Sequence, residues 1–422
     1  MTFEMYRMPN CHTSANYRNG RLGSAIRLAI AALMFVCLAI CSAPVALASQ
    51  ETGVAAVLLA LDTNGETISL KFDQPVIMKI GHLDSPARII IDLPETNFTS
   101  LSQGVRLPEV ISAIRFGLMS PGQSRIVLTL AMPTIANLEK TGSISATHSI
   151  TFTTVELSAF QKQADSDAAA LNPVISSKSD RLGDATSADG PFTVVIDPGH
   201  GGIDGGAEGK LGTREKDITL AFGLAIRDAL KDAADVRVVM TRESDLFVGL
   251  HQRVKIARQN SAELFLSIHG DSIKLPDVRG ATLYTLSDSA SDAISNALAN
   301  QENLSDSIAG LPPMQSDPDM NSILADLLKQ ETATFSRELA AQIIVHLEEN
   351  NVELINNPIR AAGFSVLTAP DVPSLLLEMG YLSNHKDELL MRDPEWRVRT
   401  ANVIAKAIEK YAKGHRTRNA TP

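Results

Sequence analysis

Three apolar runs in the second half of this chain end on residues that an apolar run has no packing reason to end on. Val194-Val195-Ile196 leads into Asp197-Pro198-Gly199-His200-Gly201-Gly202, Phe265-Leu266-Ser267-Ile268 into His269, and Leu375-Leu376-Leu377 into Glu378. Short apolar runs of this kind read as strands buried on both faces, which calls for helices above and below them. After the first run, Ile218, Ala221, Phe222, Ala225 and Ala229 recur at spacings of three and four, the period of a helix that packs by one face. Strands at 192–197, 236–241, 264–268, 281–286 and 374–378 alternate with further helices near 250–257, 289–309, 318–349 and 394–412. This order predicts an α/β fold, a mixed sheet flanked by helices. Such a sheet places its site at the carboxyl ends of its strands, where both histidines and the glutamate fall.

Taken singly, His200 and His269 read as histidines satisfied by hydrogen bonds in a turn. Glu378 is different, because burying a carboxylate without a partner is expensive. With an acidic residue of Gly212-Thr213-Arg214-Glu215-Lys216-Asp217, these groups can converge on one edge of the sheet. Two histidines and one glutamate form a known zinc ligand set, with a fourth position left for water. Asp197 either orients an imidazole from behind or forms the turn before Pro198. The glycines at 199, 201, 202, 205 and 206 do not make a phosphate loop, since no Lys-Ser or Lys-Thr pair follows and the dinucleotide fingerprint is absent. His251, His346 and His385 lack ligand spacing and read as surface residues.

The first half has another character. Residues 49–157 read as a small all-β domain with compact or alternating runs such as Thr67-Ile68-Ser69-Leu70-Lys71-Phe72 and Arg88-Ile89-Ile90-Ile91-Asp92-Leu93, without a cluster suited to catalysis. Residues 158–190, rich in Ala, Ser and Asp, read as a flexible linker. Residues 1–48 read as a signal peptide: a basic stretch ending at Arg27, an apolar stretch over 28–40 too short to span a bilayer comfortably, then Pro44 and the small-x-small Ala46-Leu47-Ala48. The expected destination is the periplasm, with no integral membrane span after processing. An uncleaved anchor and a lipoprotein at Cys41 are the alternatives, the latter disfavoured by Ile40 where a small residue is wanted. All three cysteines, Cys11, Cys37 and Cys41, fall in the removed stretch, so any metal site must use His and carboxylate ligands. The formal net charge is −10, and removing four arginines and one glutamate with residues 1–48 takes it to −13. That balance excludes nucleic acid as the main partner.

Four segments, Ile196-Asp197-Pro198-Gly199-His200-Gly201-Gly202, Glu215-Lys216-Asp217, Ser267-Ile268-His269 and Glu378-Met379-Gly380-Tyr381-Leu382-Ser383-Asn384, closely resemble the landmarks of the zinc-dependent N-acetylmuramoyl-L-alanine amidases, in the same order. The resemblance implies a catalytic domain over 191–414 with a short tail at 415–422. It implies Zn2+ held by His200, Glu215 and His269, with Glu378 as the catalytic carboxylate. The implied substrate is peptidoglycan, cut at the amide between N-acetylmuramic acid and L-alanine. Gly270 departs from the alanine usual after the second histidine. The pieces ending at Ile91-Asp92-Leu93, Ile114-Arg115-Phe116 and Arg125-Ile126-Val127-Leu128 resemble the AMIN domain that precedes many such amidases, which implies wall binding without a part in cleavage. The segment 287–317 resembles the regulatory insertion of the cell-division amidases, in which a helix covers the zinc cleft until a LytM-type activator withdraws it. By that resemblance Glu302 is the candidate inhibitory ligand; the alternative is a solvated helix with Glu302 facing water. A zinc peptidase acting on the stem peptide, and a non-catalytic wall-binding regulator, are the competing functions.

Overall fold

The computed structural model describes residues 55–102, 106–139, 144–171, 190–311 and 323–419. The expected signal peptide and most of the expected linker lie outside the described residues.

The first half builds two antiparallel sheets from β1 (Ala56–Asn64), β2 (Thr67–Val76), β3 (Lys79–Leu83), β4 (Arg88–Pro94), β5 (Thr96–Asn97), β6 (Ile111–Ser120), β7 (Gln123–Leu130), β8 (Thr134–Leu138) and β9 (Ser145–Thr154). Their strand orders are β5-β1-β2-β9-β8, with β5 joining β1 in parallel, and β3-β4-β7-β6. Side chains alternate across a strand. Leu58, Ile68, Leu70, Phe72, Ile89, Ile91, Ile126, Leu128, Ile150 and Phe152 therefore meet in one core between the sheets. Ile90 and Val127, the residues between, point out of that core and are still buried.

Helix α1 (Leu157–Leu171) occupies the first part of the expected linker. Its cause is specific packing rather than composition. Phe160 and Ala164, four apart, lie fully or almost fully buried on one face. Asp167 accepts hydrogen bonds from His82 N at 2.9 Å and pairs with His82 Nδ1 at 2.7 Å.

The second half is a six-stranded mixed sheet made of β10 (Phe192–Pro198), β11 (Val236–Met240), β12 (Leu264–His269), β13 (Ala281–Leu286), β14 (Leu354–Ala362) and β15 (Ser374–Glu378), ordered β11-β10-β12-β15-β13-β14. All neighbours run parallel except β13 against β15. The intervening helices are α2 (Glu215–Leu230), α3 (Leu250–Gln259), α4 (Ala293–Glu302), α5 (Ser305–Ile308), α6 (Ile323–Glu349), α7 (His385–Arg392) and α8 (Pro394–Asn419). Both faces of the central strands are covered. Val194, Ile196, Leu264, Leu266, Ile268, Leu375 and Leu377 pack with Phe222, Ile343 and Ile408 of α2, α6 and α8. Val195, Phe265 and Leu376 pack on the other side with Val254 of α3 and Leu298 of α4. Strand β14 escaped the sequence reading because Asn356, Asn357 and Pro358 interrupt its apolar pattern. An edge position tolerates that proline. The expected helix at 289–309 is broken into α4 and α5, and Asn303 at the break donates to Gly363 O and accepts from Ser365 N.

Candidate functional site

The three apolar runs are neighbours in the sheet, so their carboxyl ends form one edge. Register pairs Asp197 with Ser267 and His269 with Glu378. Beyond β10 the chain passes through Gly199 to His200, whose φ is +59°. A Cβ at Gly199 would lie 2.4 Å from His269 Cε1, so only glycine lets the loop pass this close to the second imidazole. Glu215 opens α2 and is fully buried.

These elements bring four of the expected residues together. His200 Nε2 lies 3.1 Å from Glu215 Oε2 and 3.4 Å from Glu302 Oε2. His269 Nδ1 lies 3.2 Å from Glu215 Oε1 and 3.0 Å from Glu302 Oε2. Ligand atoms of His200, His269 and Glu302 all fall within 4.8 Å of one another. Glu215 reaches the two histidines with different oxygens. Glu302 is 5% exposed, which rules out the helix with Glu302 facing water.

The donor set fits a zinc ion. Tetrahedral zinc with bonds of about 2.0–2.1 Å has ligand-to-ligand edges of about 3.3 Å, the spacing of these N–O pairs. His200 Nε2 and Glu302 Oε1 are buried without a hydrogen-bond partner. Buried polar atoms are normally satisfied, so such orphans at one point call for a further partner. The electrostatics agree. Burial alone would push His200 down, yet Glu215, Asp204 and Glu302 hold it well above the ordinary histidine range. Burial opposes the charge of His269 too, but Glu302 and Glu215 hold it up at about 10. Glu215 stays well below the carboxylate range despite burial, because both histidines face it. In effect the cations stand where a metal charge would stand.

Glu378 closes the edge on the β15 side. Its Oε2 accepts from Asp271 N at 3.0 Å, and its Oε1 is buried without a partner. Burial, with Glu215 and Glu302 adding and His269 opposing, pushes its carboxyl up to about 8. A carboxyl poised there exchanges a proton near neutrality, as a general acid–base group must. Asp271, beside it, is also raised by burial, and its Oδ1 accepts from Gln301 of α4 at 2.5 Å.

Asp197 does not orient an imidazole. Its carboxylate accepts from Arg253 Nη1 at 2.6 Å, Thr241 Oγ1 at 2.6 Å and Ser267 Oγ at 2.8 Å, which uses its acceptors beneath the loop. The group on His200 Nδ1 is Asp204, at 2.9 Å, which also accepts from Ser305 Oγ at 2.5 Å. Asp204 was missed; its signal was its place four residues after His200 in the same glycine-rich loop. Arg242 and Arg253 were missed as well. Arg242 donates to the carbonyls of Pro198, Gly199 and Lys216, and Arg253 to those of Pro198 and His200, so the two guanidinium groups knit the loop that presents His200.

A family model described as N-acetylmuramoyl-L-alanine amidase matches residues 194–410. The N-acetylmuramoyl-L-alanine amidase AmiA of Escherichia coli K12 is 35% identical over 229 residues, 54% of this chain and 78% of that one. AmiC of Neisseria meningitidis serogroup B, also an N-acetylmuramoyl-L-alanine amidase, is 30% identical over 363 residues, 81% of this chain and 86% of that one. The solved structure of AmiC2 of Nostoc punctiforme is 29% identical, covers 53% of this chain and 97% of its own, and superposes with a TM-score of 0.37. The second half of the molecule is thus the catalytic half of a peptidoglycan amidase. The chain belongs to the N-acetylmuramoyl-L-alanine amidase family.

Proposed function

We propose that the enzyme hydrolyses the amide between N-acetylmuramic acid and L-alanine in peptidoglycan at a zinc ion held by His200, Glu215 and His269, and that Glu302 closes the site. The observation that carries this reading is the convergence of four buried ligand groups at 3.0–3.4 Å. Zinc, when bound, supplies polarisation of the scissile carbonyl and a lowered pKa for water. The chain's own part is positional and protonic. Asp204 on Nδ1 fixes the tautomer of His200 so that Nε2 offers its lone pair. Glu378 takes the proton of the attacking water at Oε1 and later delivers one to the leaving amine; a raised pKa suits both steps. Glu302 takes the position a water needs, so the described arrangement is a resting state. Withdrawal of α4 and α5 is the opening step, and an activator of LytM type is the proposed agent.

Residues 49–157 are proposed as an AMIN-type wall-binding module, supported by the resemblance of their strand pattern. Export to the periplasm is proposed from the basic, apolar and small-residue layout of residues 1–48. Mass analysis of sacculi digested by the zinc-loaded Glu302→Ala chain tests the reaction. Stem peptides with a free L-alanine amino terminus are expected. Free D-alanine with shortened stems would instead mark a peptidase.

A further inference from the structure

The outward face of the sheet β3-β4-β7-β6 is built like an inside. In Arg88-Ile89-Ile90-Ile91-Asp92, Ile89 and Ile91 fill the module's own core while Ile90 points the other way, and it is as buried as they are. Its cover is residues 309–311 together with Phe247 and Ile203 of the catalytic half. Ile90 and Val127 pack with Ala309, Phe247 and Ile203, with Leu311 at the margin. Gly310 has φ +73°, and a Cβ there would lie 2.4 Å from Ile90 Cδ1. Polar groups follow the same plan. Arg125, 5% exposed, is held by Asp92 at 2.6 and 3.0 Å and donates Nη1 to Ala309 O at 2.9 Å. Arg88 donates Nη1 to Ser307 O. Both acceptors lie at the end of α5, where terminal carbonyls favour cations, and Ser307 O also accepts from Gly310 N at 3.0 Å. Without that segment two guanidinium groups would lose acceptors and Ile90 part of its cover.

The same segment runs directly to the site. Glu302 faces the two histidines, Ser305 donates to Asp204, and Asp306 Oδ1 accepts from Leu250 N at 2.8 Å. Gln301 and Asn303 are tied to the catalytic half on either side of Glu302. The segment is therefore gripped by the catalytic half over 301–306 and by the β module over 307–311, where Ala309 and Leu311 also meet Phe247 of the catalytic half.

We propose that the outward face of β4 and β7, with Arg88 and Arg125, is the receptor for residues 307–311, so that the N-terminal module latches Glu302 in the site. The proposal rests on the reading that Glu302 blocks the site. It changes the expectation that residues 49–157 take no part in cleavage: the module restrains cleavage. It also couples the module's position on the wall to access to the site, since anything that loosens the grip on 307–311 favours withdrawal of Glu302.

The test compares four zinc-loaded full chains on purified sacculi with no partner present: the parent, Glu302→Ala, the double variant Arg88→Ala/Arg125→Ala, and Gly310→Ala. Gly310→Ala disturbs the contact while leaving every pair inside the module intact, which guards against a double variant that fails to fold. Glu302→Ala, the double variant and Gly310→Ala should all cleave faster than the parent, the double variant by about a hundredfold, the worth of the two charge-assisted hydrogen bonds it removes. Amide hydrogen exchange of residues 303–311 in the metal-free chain should quicken in the latter two. Faster cleavage by Glu302→Ala alone, with the double variant and Gly310→Ala at the parent rate and exchange unchanged, overturns the latch but leaves the blocked-site reading standing. Parent rates in all three variants overturn that reading, and the latch with it.

Discussion

Glu378 and Glu215 are both fully buried carboxylates at one sheet edge, yet their protons are held in opposite ways. Glu215 faces two cationic imidazoles and stays ionised, whereas Glu378 has one imidazole against two carboxylates and burial, and rises to about 8. That split supports the proposed division, one carboxylate to metal and one to proton transfer. Glu378→Gln should therefore keep zinc while losing about 10²–10⁴-fold in turnover, read from zinc content and kcat on the same sample. Loss of zinc in step with activity would make Glu378 a ligand. Asp204→Ala should weaken zinc binding by about 10–100-fold, measured by chelator competition, because His200 loses the group that sets its tautomer. A pH dependence follows from His269. Its folded pKa is raised to about 10, so in the metal-free chain its proton is retained below that pH and competes with zinc. Apparent zinc affinity should rise with pH up to about 10, with proton release on loading; calorimetry in buffers of different ionisation enthalpy reads it, and a pH-independent affinity would contradict the assignment.

At the scale of elements, the central strands were legible because burial on both faces leaves nearly uninterrupted apolar runs, and His200, His269 and Glu378 were legible because each ends or follows one. Glu215 and Glu302 were legible only by resemblance, as nothing local marks an acidic residue at a helix end as a ligand. Asp197 was left between two roles because adjacency in sequence to the His200 loop does not give direction: its carboxylate points down to Arg253 while Asp204 folds back onto the ring. Helix α1 was illegible for a related reason, since Phe160 alone punctuates a polar, alanine-rich stretch and its burial depends on a sheet formed elsewhere in the chain. Phe160→Ala should cost the module about 3–5 kcal/mol, visible as a lower melting transition, because the ring is wholly buried in the core. An unchanged melt would mean that α1 does not hold the module together.

On the scale of the whole molecule, the two halves differ in how they spend buried charge. The catalytic half concentrates it at one edge of a sheet, with His200, His269, Glu215, Glu302, Asp271 and Glu378 all 6% exposed or less. The module carries two buried arginines on the face that meets residues 307–311. Buried charges without partners are costly, so each collection implies something that completes it: a cation for the first, the segment bearing Glu302 for the second. Zinc content of the purified full chain, set beside that of His200→Ala/His269→Ala, tests the first and central implication most directly. One zinc per parent chain is expected, with none retained by the double variant after dialysis; equal zinc in both, or a parent that binds none, would contradict the proposed site.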